Sequence, residues 1–270
     1  MEKGFLRIDG KIPYYISPLF ESFGIRHAFF TRVGGVSEGP FDSLNFAVGA
    51  GEQRDDPDRV IGNYSLAASV FGLEKTDICR SYQTHTSFVL TVDETHKGIG
   101  ISRPPFDFGV DGLVTEKKDL LLSVRTADCV PVLLADKQKT VCAAVHAGWR
   151  GTLGGITLEA IRQMERLGAN RSNIVAAIGP CIGQCCYEVG GEVYDAFVGI
   201  NGGYGRFFTP CGDKYFLDLT GLNAFMLTSF GIGDDAVSVY DGCTKCNEKE
   251  FFSHRRNGVN RGTMGSFICL

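Results

Sequence analysis

The 270-residue sequence predicts an α+β fold, a single domain over residues 1–270 in which mixed β-sheets pack together and helices flank them. Three observations carry that expectation. The apolar runs "VPVLLA" and "VCAAVH" follow one another with only a polar turn between, which reads as an antiparallel hairpin. Strand-like and helix-like segments mix without strict βαβ alternation, which fits α+β better than a doubly wound fold. With 44% hydrophobic residues and no low-complexity tract, the chain can fill one large core.

The elements follow in order. After a short N-terminal strand region, "HAFFTRVGGVSEGPFDSLNFAVGAGEQRDDP" is rich in Gly, Ser, Asp and Asn, the chemistry of a long ordered loop. Asp56 and Pro57 then supply an N-cap and a first-turn proline for a helix through "DRVIGNYSLAASVFGL". "SFVLTV", "LLLSVR", "VPVLLA", "VCAAVH" and "NIVAAIG" read as strands, several buried on both faces. Between the last two, Ile156, Ala160, Met164 and Leu167 recur at helical spacing before a C-capping Gly168. Another helix starts near "VGGEVYDAFV", a strand lies at "AVSVY", and a Gly- and Arg-rich tail closes the chain.

Composition excludes several classes. Charged residues make up 21% and the net charge is −4, so no global basic field exists to hold a nucleic acid or an anionic membrane. The N-terminus lacks a signal-peptide pattern and no segment approaches the roughly 18 apolar residues of a membrane span, so the expected location is cytoplasmic. Ten cysteines in so large and core-rich a chain are expected to be mostly reduced core thiols.

The candidate site starts at the hairpin. A turn centred near Lys137 and Gln138 pairs Cys129 with His146, with Cβ atoms roughly 4.5–5.5 Å apart. Histidine is scarce, the full set being His27, His85, His96, His146 and His254. His85 stands where polar "SYQTH" gives way to apolar sequence, the look of a strand mouth, and so can join the pair. Two imidazoles and one thiolate match zinc, and three protein ligands with an open fourth place mark a catalytic site. Such an ion lowers the pKa of bound water to about 7. The same geometry allows His146 to activate Cys129 as a nucleophile. "CTKC" (Cys243, Cys246) has knuckle spacing, but no second CxxC or His pair lies at the sequence distance a four-ligand site needs. In "GPCIGQCCYEVG", Cys181, Cys185 and Cys186 sit in a loop opening a helix, where a helix N-terminus would lower a thiol pKa.

"FFTRVGGVSEGPFDSLN", "QTH", "DGLVT", "TADCVPVLLAD", "AAVHAGWRGT", "GPCIGQCCYEVG", "CTKCNEKEFFSHRR" and "GVNRGTMGSFI" together resemble the polyphenol-oxidase laccase family, also described as purine nucleoside phosphorylases and adenosine deaminases. The resemblance runs from about residue 26 to the C-terminus. It implies a cytosolic enzyme with zinc on His85, Cys129 and His146, taken also as the catalytic residues. It implies phosphorolysis of adenosine, inosine, guanosine and methylthioadenosine, deamination of adenosine, and a fold related to Cys–His hydrolases. Thr86 departs from the glycine usual after QxH, and "RRNGVNRG" from the commoner Asp-Gly-x-Gly-Arg order.

Phosphorolysis needs phosphate held by bidentate Arg and N–H groups, for which Arg32, Asn45 and Arg150 are the candidates. Arg255, Arg256 and Arg261 form a second basic cluster, more simply read as solvated charge. Deamination needs a carboxylate to shuttle protons, and Asp111 and Asp128 are nearest, both ranked as residues that orient a ligand. The expected partners are purine nucleosides and phosphate, with weak self-association. The alternatives are a Cys–His thiol hydrolase, a copper-dependent phenol oxidase, and a non-catalytic metal-storage or redox-sensing site. A conventional laccase needs a His-rich cluster beside a His₂Cys site, more than five histidines supply.

Overall fold

Among the described residues, fifteen short strands, most of them buried, form two six-stranded sheets and a small third one. The computed structural model describes residues 4–270. The strands are β1 (Leu6–Ile8), β2 (Tyr14–Ile16), β3 (Arg26–Phe30), β4 (Ile78–Arg80), β5 (Val89–Thr91), β6 (Gly112–Thr115) and β7 (Leu121–Thr126). They continue as β8 (Val130–Asp136), β9 (Cys142–Ala147), β10 (Ile174–Ile178), β11 (Glu188–Val189), β12 (Phe208–Cys211), β13 (Lys214–Leu217), β14 (Val237–Val239) and β15 (Met264–Cys269). The first sheet runs β1-β2-β3-β15-β7-β4, the second β14-β10-β8-β9-β6-β5, and the third β11-β13-β12. β4 with β7, β5 with β6 and β10 with β14 are parallel, the other pairs antiparallel, so the sheets are mixed as expected.

Period-two alternation explains the layering. In β15, Phe267 and Cys269 point to one core while Ile268 points to the other; β3 and β7 divide Ala28 from Phe29 and Leu121 from Leu122 in the same way. One side of the first sheet therefore packs on the second sheet, and the other takes helix α1 (Pro57–Val70) through Val60, Tyr64, Ala67 and Ala68, a helical stripe. Asp56 caps that helix by accepting from Asp58 N at 2.9 Å, with Pro57 in the first turn, as the sequence predicts. The outer face of the second sheet takes α2 (Ile156–Arg166), which buries Ile156, Ala160, Ile161 and Met164. Helix α3 (Gly191–Ile200) matches the expected start near Val189.

Two expectations need correction. The tail contains β15, buried throughout between β3 and β7, so "MGSFIC" is a central strand. The hairpin register is shifted by two: His146 faces Pro131 and Ala147 faces Val130. The cause is the turn, which lies later than expected, with Lys139 at φ 57° and Gln138 N bound to Asp136 Oδ1 at 2.6 Å. All ten cysteines are free, but only five are buried, so the expectation of mostly core thiols holds for half of them.

Candidate active site

His146 lies in β9, Cys129 in the turn from β7 to β8, and His85 in the loop from β4 to β5, so three separate segments converge. Despite the shifted register, their ligand atoms lie within 4.8 Å of one another. Cys129 Sγ is 3.8 Å from His85 Nε2, and the two imidazoles meet edge to face with centroids 4.9 Å apart. Gly148 makes this approach feasible: a Cβ there would come within 3.0 Å of the His85 ring and 3.2 Å of Cys129 Sγ.

Asp111 assembles the set. Its fully buried carboxylate accepts from the backbone N–H groups of Thr84, His85 and Thr86 at 3.1, 3.0 and 2.9 Å, from Thr86 Oγ1 at 2.9 Å and from His146 Nδ1 at 2.8 Å. It thus fixes the His85 loop, where His85 itself has φ 64°, and selects the His146 tautomer that leaves Nε2 free. Burial would raise the Asp111 pKa, but the His146 hydrogen bond and the Thr86 and Thr84 N–H groups outweigh it and hold it at about 2.

Burial would also raise the Cys129 thiol, yet the charge of His146 and its hydrogen bond, with those of His85, pull it down to about 6. Burial would lower His146, while Cys129 and Asp111 push it up to about 9. The surroundings thus favour the Cys129 thiolate. The donor set fits zinc, for which N–S edges of roughly 3.6 Å follow from bond lengths near 2.0 and 2.3 Å, and the Asp111–His146 pair is the carboxylate–histidine arrangement common at metal sites.

Cys129 and His85 line a cavity of about 330 Å³. Arg150, with its guanidinium over the Trp149 ring at 4.2 Å, is in the wall. Arg255 and Arg261 also line it, so they are not simply solvated charge. Arg261 Nε is buried without a partner, and burial lowers the guanidinium pKa. Tyr187 and Trp149 supply aromatic surface. The sequence reading missed both, although Trp149 is the only Trp and follows the His146 turn directly.

Two predicted binding residues lie elsewhere. Arg32 Nε and Nη2 donate to Asp42 O at 2.9 and 2.7 Å and its guanidinium covers Phe252 at 4.4 Å, in a separate surface depression. Asn45 is fully buried, donating to Ala47 O and Asp55 and accepting from Ala47 N and Thr263 N. Both brace loop backbone instead of facing the cavity. Asn45→Ala is expected to cost about 1–3 kcal/mol of stability with substrate KM values unchanged, as urea melts beside steady-state kinetics will report.

Asp128 accepts from Thr244 Oγ1 at 2.6 Å, Ser253 Oγ at 3.0 Å and Arg255 N at 2.6 Å, which leaves it, like Asp111, engaged in positioning. Arg256 is likewise spent on the carbonyls of Thr244, Lys245 and Phe251. His27 is buried with its nitrogens on Ser17 N and Ile25 O. Among the described residues no third histidine joins the cluster, so a three-copper centre is not built here.

The fold is that of a known class. The profile of the multi-copper polyphenol oxidoreductase laccase family matches residues 26–270, and the chain belongs to that family. It is 37% identical over 250 residues to a purine nucleoside phosphorylase of Deinococcus radiodurans, covering 92% of this chain and 90% of that one. It is 36% identical over 211 residues to adenosine deaminase RL5 from an unknown prokaryotic organism, covering 77% and 80%. A hypothetical protein YfiH of Bacillus licheniformis superposes with a TM-score of 0.88 at 33% identity, over 98% of both chains. No helix is long and apolar enough to cross a membrane.

Proposed function

We propose that the protein is a purine nucleoside phosphorylase that holds zinc on His85, Cys129 and His146 and cleaves adenosine, inosine, guanosine and methylthioadenosine with phosphate, with adenosine deamination as an accompanying activity. The observation that carries this reading is a cavity lined by His85 and Cys129 of the His–Cys–His donor set, by aromatic side chains and by Arg261, whose Nε is buried without a partner. The relatives named as a phosphorylase and a deaminase support the substrate class.

Zinc bound there supplies Lewis acidity and the capacity to activate water. The chain's own residues do the rest. Arg261 and Arg150 hold the phosphate, since guanidinium groups pair bidentately with its oxygens. Trp149 and Tyr187 offer flat faces to the purine. Ile182 and Leu219 in the cavity wall exclude water, which would otherwise compete with phosphate for ribose C1′ as the bond to the base breaks. Asp111 holds His146 in its ligating tautomer throughout.

Product chromatography with metal-quantified protein tests the reading. Adenosine and inosine should give adenine and hypoxanthine only with phosphate present, and inosine should form from adenosine without it. A zinc-loaded sample that yields no product from either nucleoside would refute the assignment. Arg261→Met is expected to lower kcat/KM for phosphate by about 10- to 100-fold, the loss of one charged hydrogen-bonding partner, with nucleoside KM less affected. An unchanged phosphate KM would remove Arg261 from the anion site.

A further inference from the structure

The "CTKC" turn does find partners, in space and not in sequence. β10 and β14 are parallel neighbours, so the segments that leave their C-terminal ends emerge at the same edge of the second sheet. One carries Cys185 and Cys186, the other Cys243 and Cys246, and the four sulfur atoms lie within 4.8 Å of one another. Cys246 Sγ is 3.8 Å from Cys185 Sγ and 3.4 Å from Cys186 Sγ. Those separations are far beyond a disulfide bond of about 2.05 Å. They match the roughly 3.8 Å edge of a tetrahedron built on zinc–sulfur bonds of about 2.3 Å.

The turns around the cluster hold it together, and one of its thiols is set up to carry charge. The backbone N–H groups of Gly183, Lys245 and Cys246 are aimed at Cys243 Sγ, which is the innermost of the four. Asn247 N closes the knuckle on Cys243 O at 3.0 Å, and Cys186 N closes the facing turn on Gly183 O at 3.0 Å. Thr244 N reaches across to Cys181 O at 2.9 Å and joins the two turns. Gly183 leaves the necessary room: a Cβ there would lie 3.1 Å from Cys243 Cβ and 3.3 Å from Cys185 Sγ. The expectation that a helix N-terminus lowers the thiols of this loop is overturned, because burial pushes Cys185 and Cys186 up and β11 intervenes before any helix.

We propose that Cys185, Cys186, Cys243 and Cys246 form a second metal site that takes a zinc ion in a closed, four-thiolate, structural mode. Its place in the molecule gives it a task. The loop it fastens on one side carries Ile182 and Tyr187, and the segment on the other side leads to His254 and Arg255, all of them in the cavity wall. The ion clamps two walls of the cavity to each other without contributing a ligand to the cavity itself. This inference stands apart from the nucleoside reading, since it concerns different residues and needs no turnover.

Metal analysis and cobalt spectroscopy of the full-length chain, prepared under reductant, test it. The wild type should carry two zinc ions per chain and Cys129→Ala one. Cobalt added to zinc-depleted Cys129→Ala should give a strong thiolate-to-metal charge-transfer absorption, which the two remaining histidines of the first site cannot produce. Adding Cys246→Ser should weaken that absorption and lower cobalt affinity at least tenfold. If the double variant fails to fold, the single variant's zinc content and cobalt spectrum still decide the matter. Cys129→Ala protein that holds no zinc and shows no charge-transfer absorption overturns the proposal. So does peptide mapping that finds Cys185 or Cys186 disulfide-bonded to Cys243 or Cys246 in the reduced preparation.

Discussion

Cys129→Ala is expected to lower nucleoside phosphorolysis by about 10³-fold or more while the chain stays folded. The thiol lines the cavity from a turn, so truncating it removes few packed atoms but takes away the one anionic ligand of the set. What remains is two imidazoles, one of them exposed and both able to take up protons in place of a metal. His146 also loses the sulfur that raises its pKa. Zinc content should fall by one ion per chain and the melting temperature should stay close to that of the wild type. Chelation of the wild-type protein distinguishes zinc chemistry from a thiol hydrolase in which His146 activates Cys129. Activity lost to a chelator and restored by zinc supports the metal; activity that survives chelation but disappears on alkylating Cys129 would move the assignment to the thiol.

Asp111→Asn should act on both stability and metal affinity. Five donors converge on the two carboxylate oxygens, and an amide turns one of those acceptors into a donor facing donors. Breaking so buried a charged network costs about 3 kcal/mol or more, and losing the partner of a ligating histidine costs about 10- to 100-fold in metal affinity. The acid dependence has a definite sign. The folded-state pKa near 2 lies below the value of about 3.9 for an unfolded Asp. The carboxylate's contribution is therefore complete above about 3.9 and is lost as the pH falls through the folded value. Urea denaturation of the metal-free proteins at pH 7 and pH 2.5 should show the gap between wild type and variant shrinking on acidification. Equal stabilities and equal zinc affinities at neutral pH would contradict the role given to this residue.

Much of the site was legible because its ligands punctuate apolar runs. His146 ends "VCAAVH", Cys129 precedes "VPVLLA", and a chain with five histidines makes each one's position informative. The register error did no harm to the assignment, since Gly148 lets the Cys129 turn close on His85 from one step beyond the paired residues. Arg32 and Asn45 misled because loop polarity looks the same whether a side chain faces a ligand or a carbonyl. Only the fold shows that Asp42 O and Thr263 N claim them. The four-thiol cluster was illegible for a different reason: its halves are joined by the parallel pairing of β10 and β14, which no local spacing encodes. β15 was hidden by its glycine-rich approach and by burial on both faces, which removes the polar alternation of a half-exposed strand.

The position of β15 bears on how the molecule is made. It pairs residue 269 with residue 26 and at the same time lines up against β7, so the first sheet stays split until segments from opposite ends of the chain have met. Contacts so distant along the chain are slow to form, because loop entropy is spent before any ladder bond repays it. During synthesis, β3 and β7 therefore wait with open hydrogen-bonding edges, the kind of edge that recruits strands from other chains. The vulnerable period for aggregation is the interval before residues 264–269 arrive, and the strand that closes the sheet also ends that exposure.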